Sequence, residues 1–195
     1  MNYGLIHRAL WLLLVAYWII SAFGNKKTVQ RYKPGQRLLA FVALVVVYWA
    51  LFYYKNDSLT QPIHDWLMQR TIPDTDLIGP LSTALCAAGI AFAIWARHTL
   101  GRNWNANPGV KEGHELIVNG PYRFVRHPIY TGMLLALFGS LVVGDGRIRG
   151  LLFFAFIAIG LHFKSKIEEG LMMQTFPNSY PEYRRRTKAI IPFIL

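Results

Sequence analysis

Arg126-His127-Pro128 opens an uncharged run from Pro128 to Gly144, and Glu168-Glu169 follows the next apolar run, Gly150 to Phe163. Carboxylates beside a membrane-length apolar segment need a reason, because desolvating their charge is costly. Pro128 suits the first turn of a helix, where its missing N–H costs nothing. A helix starting there presents free N–H groups and positive dipole potential to an anionic group. Arg126 and Lys164 are cations able to orient an anion, and Glu169 is a carboxylate able to take a proton. Lys164 and Glu168 stand four residues apart on one helical face, which a plain ion pair explains equally well. His127 before a proline fits a helix cap as well as a site residue. Phe176, Tyr180 and Tyr183 fit an interfacial aromatic belt.

The segment before this doorway, Arg102 to Gly132, is rich in turn residues. Asn103, Asn105, Asn107, Pro108 and Gly109 mark one turn, and Gly113 and Gly120-Pro121 mark two more. Between them "HELIV", residues 114–118, reads as extended or a short strand. Exposed backbone of that kind offers N–H and C=O groups that can read an adenine edge. Other chemistries find no support. The six histidines show no metal-ligand spacing with a helix-borne carboxylate, so no metal is expected. There is no glycine-rich phosphate loop and no Ser-His-Asp candidate set. The one cysteine, Cys86, lies in an apolar run, where a small buried hydrophobe is expected rather than a thiolate.

The elements that must position these groups are membrane helices. Of the 195 residues, 53% are hydrophobic and only 16% charged, against about 25% charged in a soluble domain. The net charge of +11 sits mostly in loops flanking apolar runs, which points to a membrane and away from nucleic acid. Ala9–Asn25, Leu38–Tyr54, Leu77–Ala96 and Pro128–Gly144 carry no charge and approach the length of about 20 residues that spans a bilayer. Gly150–Phe163 is short, and spans only if its helix continues with Lys164 and Lys166 reaching back to the surface. Basic residues lie mainly after the first run, so it reads as a retained helix rather than a cleaved leader. The loop with Lys26, Lys27, Arg31, Lys33 and Arg37 is expected in the cytoplasm, and the one with Asp57, Asp65, Asp74 and Asp76 outside. Arg147 and Arg149, in an outer turn, fit this poorly. "LTQPIHDWLMQR", residues 59–70, reads as a short interfacial helix. The expectation is one all-α, polytopic membrane domain over 1–195 with about five transmembrane helices. Residues 1–98 hold the first three. Residues 99–195 hold a C-terminal hairpin of helices, a cytoplasmic loop and a tail, with the N-terminus outside and the C-terminus cytoplasmic. The hairpin brings the two polar segments to one membrane face.

"GHELIVNGPYRFVRHPIYTG", then "EE", then "FPNSYPEYRRRT" and a late proline, resembles the isoprenylcysteine carboxyl methyltransferase family, which groups with the phospholipid methyltransferases. The likeness covers about the last hundred residues. It implies an integral membrane methyltransferase that uses S-adenosylmethionine (SAM) and releases S-adenosylhomocysteine, in a cytoplasm-facing pocket closed by the C-terminal segment. Carried over, His114, Glu115, Leu116 and Ile117 would contact the cofactor. Tyr122, His127, Pro128, Ile129 and Tyr130 would complete the wall, Glu168 would hold the cofactor, and Asn107 would add a polar contact. Arg126 and Glu169 would be catalytic, as anion-orienting group and base. Lys164 stands where the family places a substrate-facing arginine, so the charge stays while the two-point grip on a carboxylate is lost. A lipophilic acceptor would enter from the bilayer, with membrane lipids as neighbours and no nucleic acid. The nucleophile, whether O, N or S, and the oligomeric state stay open. Two other readings remain: an NADPH-dependent membrane reductase, since sterol reductases share a late arginine-histidine pair, and a non-catalytic membrane module.

Overall fold

The computed structural model describes residues 2–31, 35–52, 61–105 and 109–191. Its helices are α1 (Tyr3–Ala22), α2 (Gly35–Phe52), α3 (Gln61–Met68), α4 (Ile78–Leu100), α5 (Pro128–Leu137), α6 (Ile148–Thr175) and α7 (Tyr180–Arg186). Among the described residues, four spans are long and apolar enough to cross a membrane: Tyr3–Ala22, Ile78–Asn103, Pro128–Asp145 and Ile148–Thr175. The fold is that of a polytopic helical membrane protein. In α2 the described apolar part is Phe41–Phe52, and its Tyr48 and Phe52 rings pack on Phe153 of α6. The run expected to be short, Gly150–Phe163, is the first half of a 28-residue helix.

Successive long helices run back and forth. The end of α1 is tied to the end of α4, where Arg97 donates to Ser21 O and Asn25 Oδ1, and His7 near its start lies 3.2 Å from Thr83 Oγ1. α4 and α5 meet along a seam of small residues. A Cβ on Gly89 would lie 2.4 Å from Ala136 N, and one on Gly132 would lie 2.6 Å from Ala93 N. Glycine is required at both positions so that the two backbones touch, the packing that membrane helices use in place of hydrophobic burial. Cys86 is fully buried in this seam, as its sequence context implied. Beyond Leu137 the α5 helix widens into π-helical winding, Phe138–Asp145. Gly146 then turns the chain at φ +63°, a left-handed conformation that glycine adopts without strain. Arg147 and Arg149, awkward for the outer side, both pair with Asp145 at 3.0 Å.

One strand pair departs from the all-helical expectation. β1 (Thr28–Arg31) and β2 (Gly109–Lys111) form an antiparallel ribbon, Thr28 opposite Lys111 and Arg31 opposite Gly109. The strand lies just before residues 114–118, which themselves join no ladder. Lys111 donates to Lys26 O at 2.9 Å and Thr28 Oγ1 at 3.0 Å, joining the first polar loop to the second. α3 is the short helix expected from its sequence, with Ile63 and Trp66 exposed and Leu67 buried.

Candidate active site

Pro128 starts α5 as the sequence implied, and Gly132, one turn on, lets this end of the helix press against α4. That fixes where Arg126, His127 and Tyr130 stand. They face Glu168 and Glu169 on the far turns of α6. Tyr130 Oη donates to Glu168 Oε1 at 2.7 Å, and His127 Nδ1 lies 3.4 Å from Glu168 Oε2. The His127 and Tyr130 rings stack in parallel, 5.3 Å between centroids. Glu168 therefore reaches across to α5, rather than only along its own helix to Lys164. Lys164 turns into the same space, its Nζ 5.3 Å from the Tyr130 ring centroid, and does not snorkel to the lipid surface.

Glu169 serves a second, adjoining network. Its Oε1 accepts from Arg126 Nε at 2.9 Å and Nη2 at 2.7 Å, while Oε2 lies 3.4 Å from Arg184 Nε. Arg126 Nη1 donates to the carbonyls of Arg184 and Thr187. The backbone continues the tie, with Arg126 N to Lys188 O and His127 N to Ala189 O, both at 2.9 Å. The C-terminal segment is thus strapped over the start of α5. Tyr183 Oη donates to Tyr122 O at 2.7 Å and closes the strap from above.

The loop between α4 and α5 forms the opposite wall. Lys26 Nζ donates to Gly113 O at 2.7 Å and Asn103 Oδ1 at 3.1 Å, and sits 3.4 Å from Glu115 Oε1. His114 Nδ1 accepts from Lys111 N at 3.1 Å, which leaves Nε2 to carry the proton. Its ring packs on Phe176.

These walls enclose a cavity of about 530 Å³ with polar and apolar regions. His114, Glu115, Leu116 and Ile117 line one side, and Tyr122, Arg126, His127, Ile129, Tyr130, Lys164 and Glu168 the other. Pro128 is buried behind them. Glu169 is not among the lining residues. Asn107 lies outside the described residues. Sequence reasoning missed the third wall: Trp11, Leu14, Val15, Trp18 and Ile19 of α1, and Asn103 and Trp104. An apolar face on an all-apolar helix carries no mark of its own, although Trp11 and Trp18, two turns apart, were a signal available in the sequence. Among the described residues, no cluster of three metal-binding side chains occurs.

The electrostatics follow from burial and partners. Burial disfavours the charge on His127, but hydrogen bonds and charge from Glu168 and Glu169 outweigh it and raise its pKa. Burial and the nearby Lys26 and Lys111 charges lower that of His114. The Asn103 hydrogen bond and Lys26 hold the exposed Glu115 carboxyl below its usual value. Burial pushes the Tyr122 and Tyr183 hydroxyls up, so both remain neutral.

Helices that span a membrane, gathered around an ionic cavity at one end, define an integral membrane protein of the polytopic α-helical class. Residues 82–174 match the model of the isoprenylcysteine carboxyl methyltransferase (ICMT) family. The chain is 31% identical over 86 residues to protein-S-isoprenylcysteine O-methyltransferase B of Arabidopsis thaliana, covering 43% of each chain. It is 35% identical over 72 residues to methanethiol S-methyltransferase 1 of Bradyrhizobium diazoefficiens, covering 37% of this chain and 24% of that one. It thus spans less than half the length of these curated relatives. A solved structure of the eukaryotic intramembrane Ras methyltransferase ICMT superposes with a TM-score of 0.55 at 22% identity, covering 84% of this chain and 54% of that one. The shared property is the fold.

Proposed function

We propose that the chain is a SAM-dependent methyltransferase that modifies a lipophilic acceptor at the cytoplasmic face of a membrane. The observation that carries the reading is the single cavity whose polar wall comes from the 103–130 loop and α6 and whose apolar wall comes from α1. A charged, water-soluble donor and a greasy acceptor need such a boundary. The donor set fits SAM. Glu168 offers a carboxylate to an ammonium group, His127 Nε2 is a buried ring nitrogen 3.6 Å from Glu169 Oε1, and Tyr122, Tyr130 and Tyr183 offer ring faces or hydroxyls to a cation.

When bound, SAM supplies an electrophilic methyl group and a neutral thioether leaving group, so no general acid is required. The protein's part is positioning and exclusion of water, which together can supply about 7–11 kcal/mol. Glu168, held by Tyr130 and His127, fixes the donor. His114, Glu115, Leu116 and Ile117 form the wall against its polar face. Lys164 orients an anionic acceptor from the membrane side. Arg126 and Glu169, already engaged with each other and with the strap, hold the cavity closed rather than meet the acceptor. The relatives' names give two acceptor kinds, an isoprenylcysteine carboxylate and a thiol. Lys164 favours the carboxylate, which arrives already ionised and is steered by the cation, whereas a thiol must first give up a proton to react as thiolate.

Titration of purified protein with S-adenosylhomocysteine tests the donor site. Glu168→Ala is expected to lose binding while the thermal melt in detergent still shows a cooperative fold, and undiminished affinity in that variant rejects the assignment. Incubation with radiolabelled SAM and a membrane lipid extract then identifies the acceptor class.

A further inference from the structure

Trp11 is the deepest α1 residue in the cavity wall, and Ile19 is the shallowest. The helix between them is about 12 Å long at about 1.5 Å per residue. Trp11 Nε1 donates to Ser140 Oγ at 3.1 Å, and Ser140 Oγ donates to Cys86 Sγ at 3.3 Å. Ser140 belongs to the π-helical winding beyond α5, and Cys86 to α4. One hydrogen-bonded chain therefore crosses α1, α4 and the extended α5 at a single depth.

Past this chain lies a second cavity, about 780 Å³, open toward the opposite end of the bundle. Its lining is polar and includes His7, Asp74, Asp76, Ser82 and Asp145. Trp11 borders the first cavity and Ser140 borders the second. The contact between these two side chains is the partition between an apolar slot and a polar vestibule.

We infer that the Trp11–Ser140 pair is the floor of the acceptor slot and sets the length of hydrocarbon chain the slot accepts. The inference rests on the reading that a lipophilic acceptor occupies the first cavity. A tail that enters beside Trp18 and Ile19 runs along Leu14 and Val15 until it meets the Trp11 indole. A longer tail gains nothing by passing it, since the space beyond is lined by carboxylates and imidazole and transfer of apolar surface there yields no hydrophobic stabilisation. The excess must fold back or remain in lipid. Removing the indole joins the two cavities along the small side chains of Ser140, Ser82 and Cys86, and makes room for a longer tail.

The test uses the full chain in nanodiscs and three probes, the S-geranyl, S-farnesyl and S-geranylgeranyl derivatives of N-acetylcysteine. In Trp11→Ala the ratio of dissociation constants is expected to move toward the geranylgeranyl probe by about tenfold or more, as for a pocket enlarged by several methylene groups. Trp11→Phe, which keeps a ring but not the N–H, and Ser140→Ala are expected to shift it less in the same direction. Cys86, the only cysteine, gives a second readout. It is fully buried, so maleimide should modify it slowly in the unaltered chain, rapidly in Trp11→Ala, and slowly again when the geranylgeranyl probe is bound. An unchanged chain-length ratio in all three variants overturns the floor, as does failure of the unaltered chain to bind any probe. S-adenosylhomocysteine binding is measured in the same samples. Its absence from the unaltered chain sinks the methyl-transfer reading, while a chain-length shift in Trp11→Ala still supports the floor.

Discussion

Arg126 Nη2 lies 2.7 Å from Glu169 Oε1, and the two side chains, 8% and 4% exposed, are almost wholly out of solvent. They join the start of α5 to the last turns of α6, and Arg126 carries the C-terminal strap on its remaining donors. Removing one member of a buried pair strands the other charge, at a cost of about 3–5 kcal/mol. Glu169→Ala is therefore expected to lower the melting temperature in detergent clearly. It should also speed hydrogen exchange at the amides of Arg126 and His127, which the strap carbonyls protect. Slow exchange at those amides in the variant contradicts the strapping role.

Two histidines on opposite walls give stability opposite dependences on pH. The pKa of His127 lies above its ordinary 6.5 because Glu168 and Glu169 overcome its burial. Its contribution is complete below pH 6.5 and is lost as pH rises through the folded value. The pKa of His114 lies below 6.5 through burial and the charges of Lys26 and Lys111. Its contribution is present above pH 6.5 and is lost as pH falls through the folded value. Melting temperature against pH should fall on both sides of a maximum. His127→Gln is expected to flatten the alkaline limb and His114→Gln to flatten part of the acid one. An alkaline limb unchanged in His127→Gln refutes the assignment.

The helical architecture was legible because charge divides the chain so cleanly that each apolar run marks its own helix. The doorway was legible too, since Pro128 signals a helix start and the hairpin returns Glu168 to the same end. Three features were not. The length of α6 was hidden because Lys164 and Lys166 look like a membrane boundary, whereas Lys164 faces a cavity and the helix runs past both. The β1–β2 ribbon was hidden because a few pairing residues carry no periodicity worth reading. The α1 wall was hidden because apolar residues facing a slot and apolar residues facing lipid are chemically alike. What separates them is the neighbour, and the neighbour of Trp11 stands far along the chain at Ser140.

The seam between α4 and α5 sets the position of every residue on the α5 wall. A Cβ at Gly132 would meet backbone atoms of Ala93 and Gly89, none closer than 2.6 Å, and backbone cannot move aside as a side-chain tip can. Gly132→Val is expected to push the helices apart, to cost about 1–3 kcal/mol or more, and to weaken S-adenosylhomocysteine binding by displacing His127 and Tyr130. Gly170→Ala is the control, since a Cβ there meets nothing within 4 Å. Equal melting temperatures for the two variants would remove the seam from the account.

Lys26 belongs to no recognised motif, yet it is the cation that gathers the loop opposite Glu168. Its ammonium holds Gly113 O, Asn103 Oδ1 and Glu115 Oε1 together, so it acts on a bound donor only through those groups. Glu115 is largely exposed, at 69%, and solvent screening keeps its share of the interaction small. The bond to the Gly113 carbonyl matters more, because it sets the backbone just before His114. Lys26→Met retains the aliphatic stem and removes the charge. It is expected to weaken S-adenosylhomocysteine binding about fivefold, equivalent to about 1 kcal/mol, the net worth of an ordinary hydrogen bond, with little change in melting temperature. Lys27→Met, one residue away and exposed, should leave affinity unchanged. Equal affinities in the two variants would show that the loop keeps its shape without Lys26, and the β1–β2 ribbon would then be the sole device that positions His114.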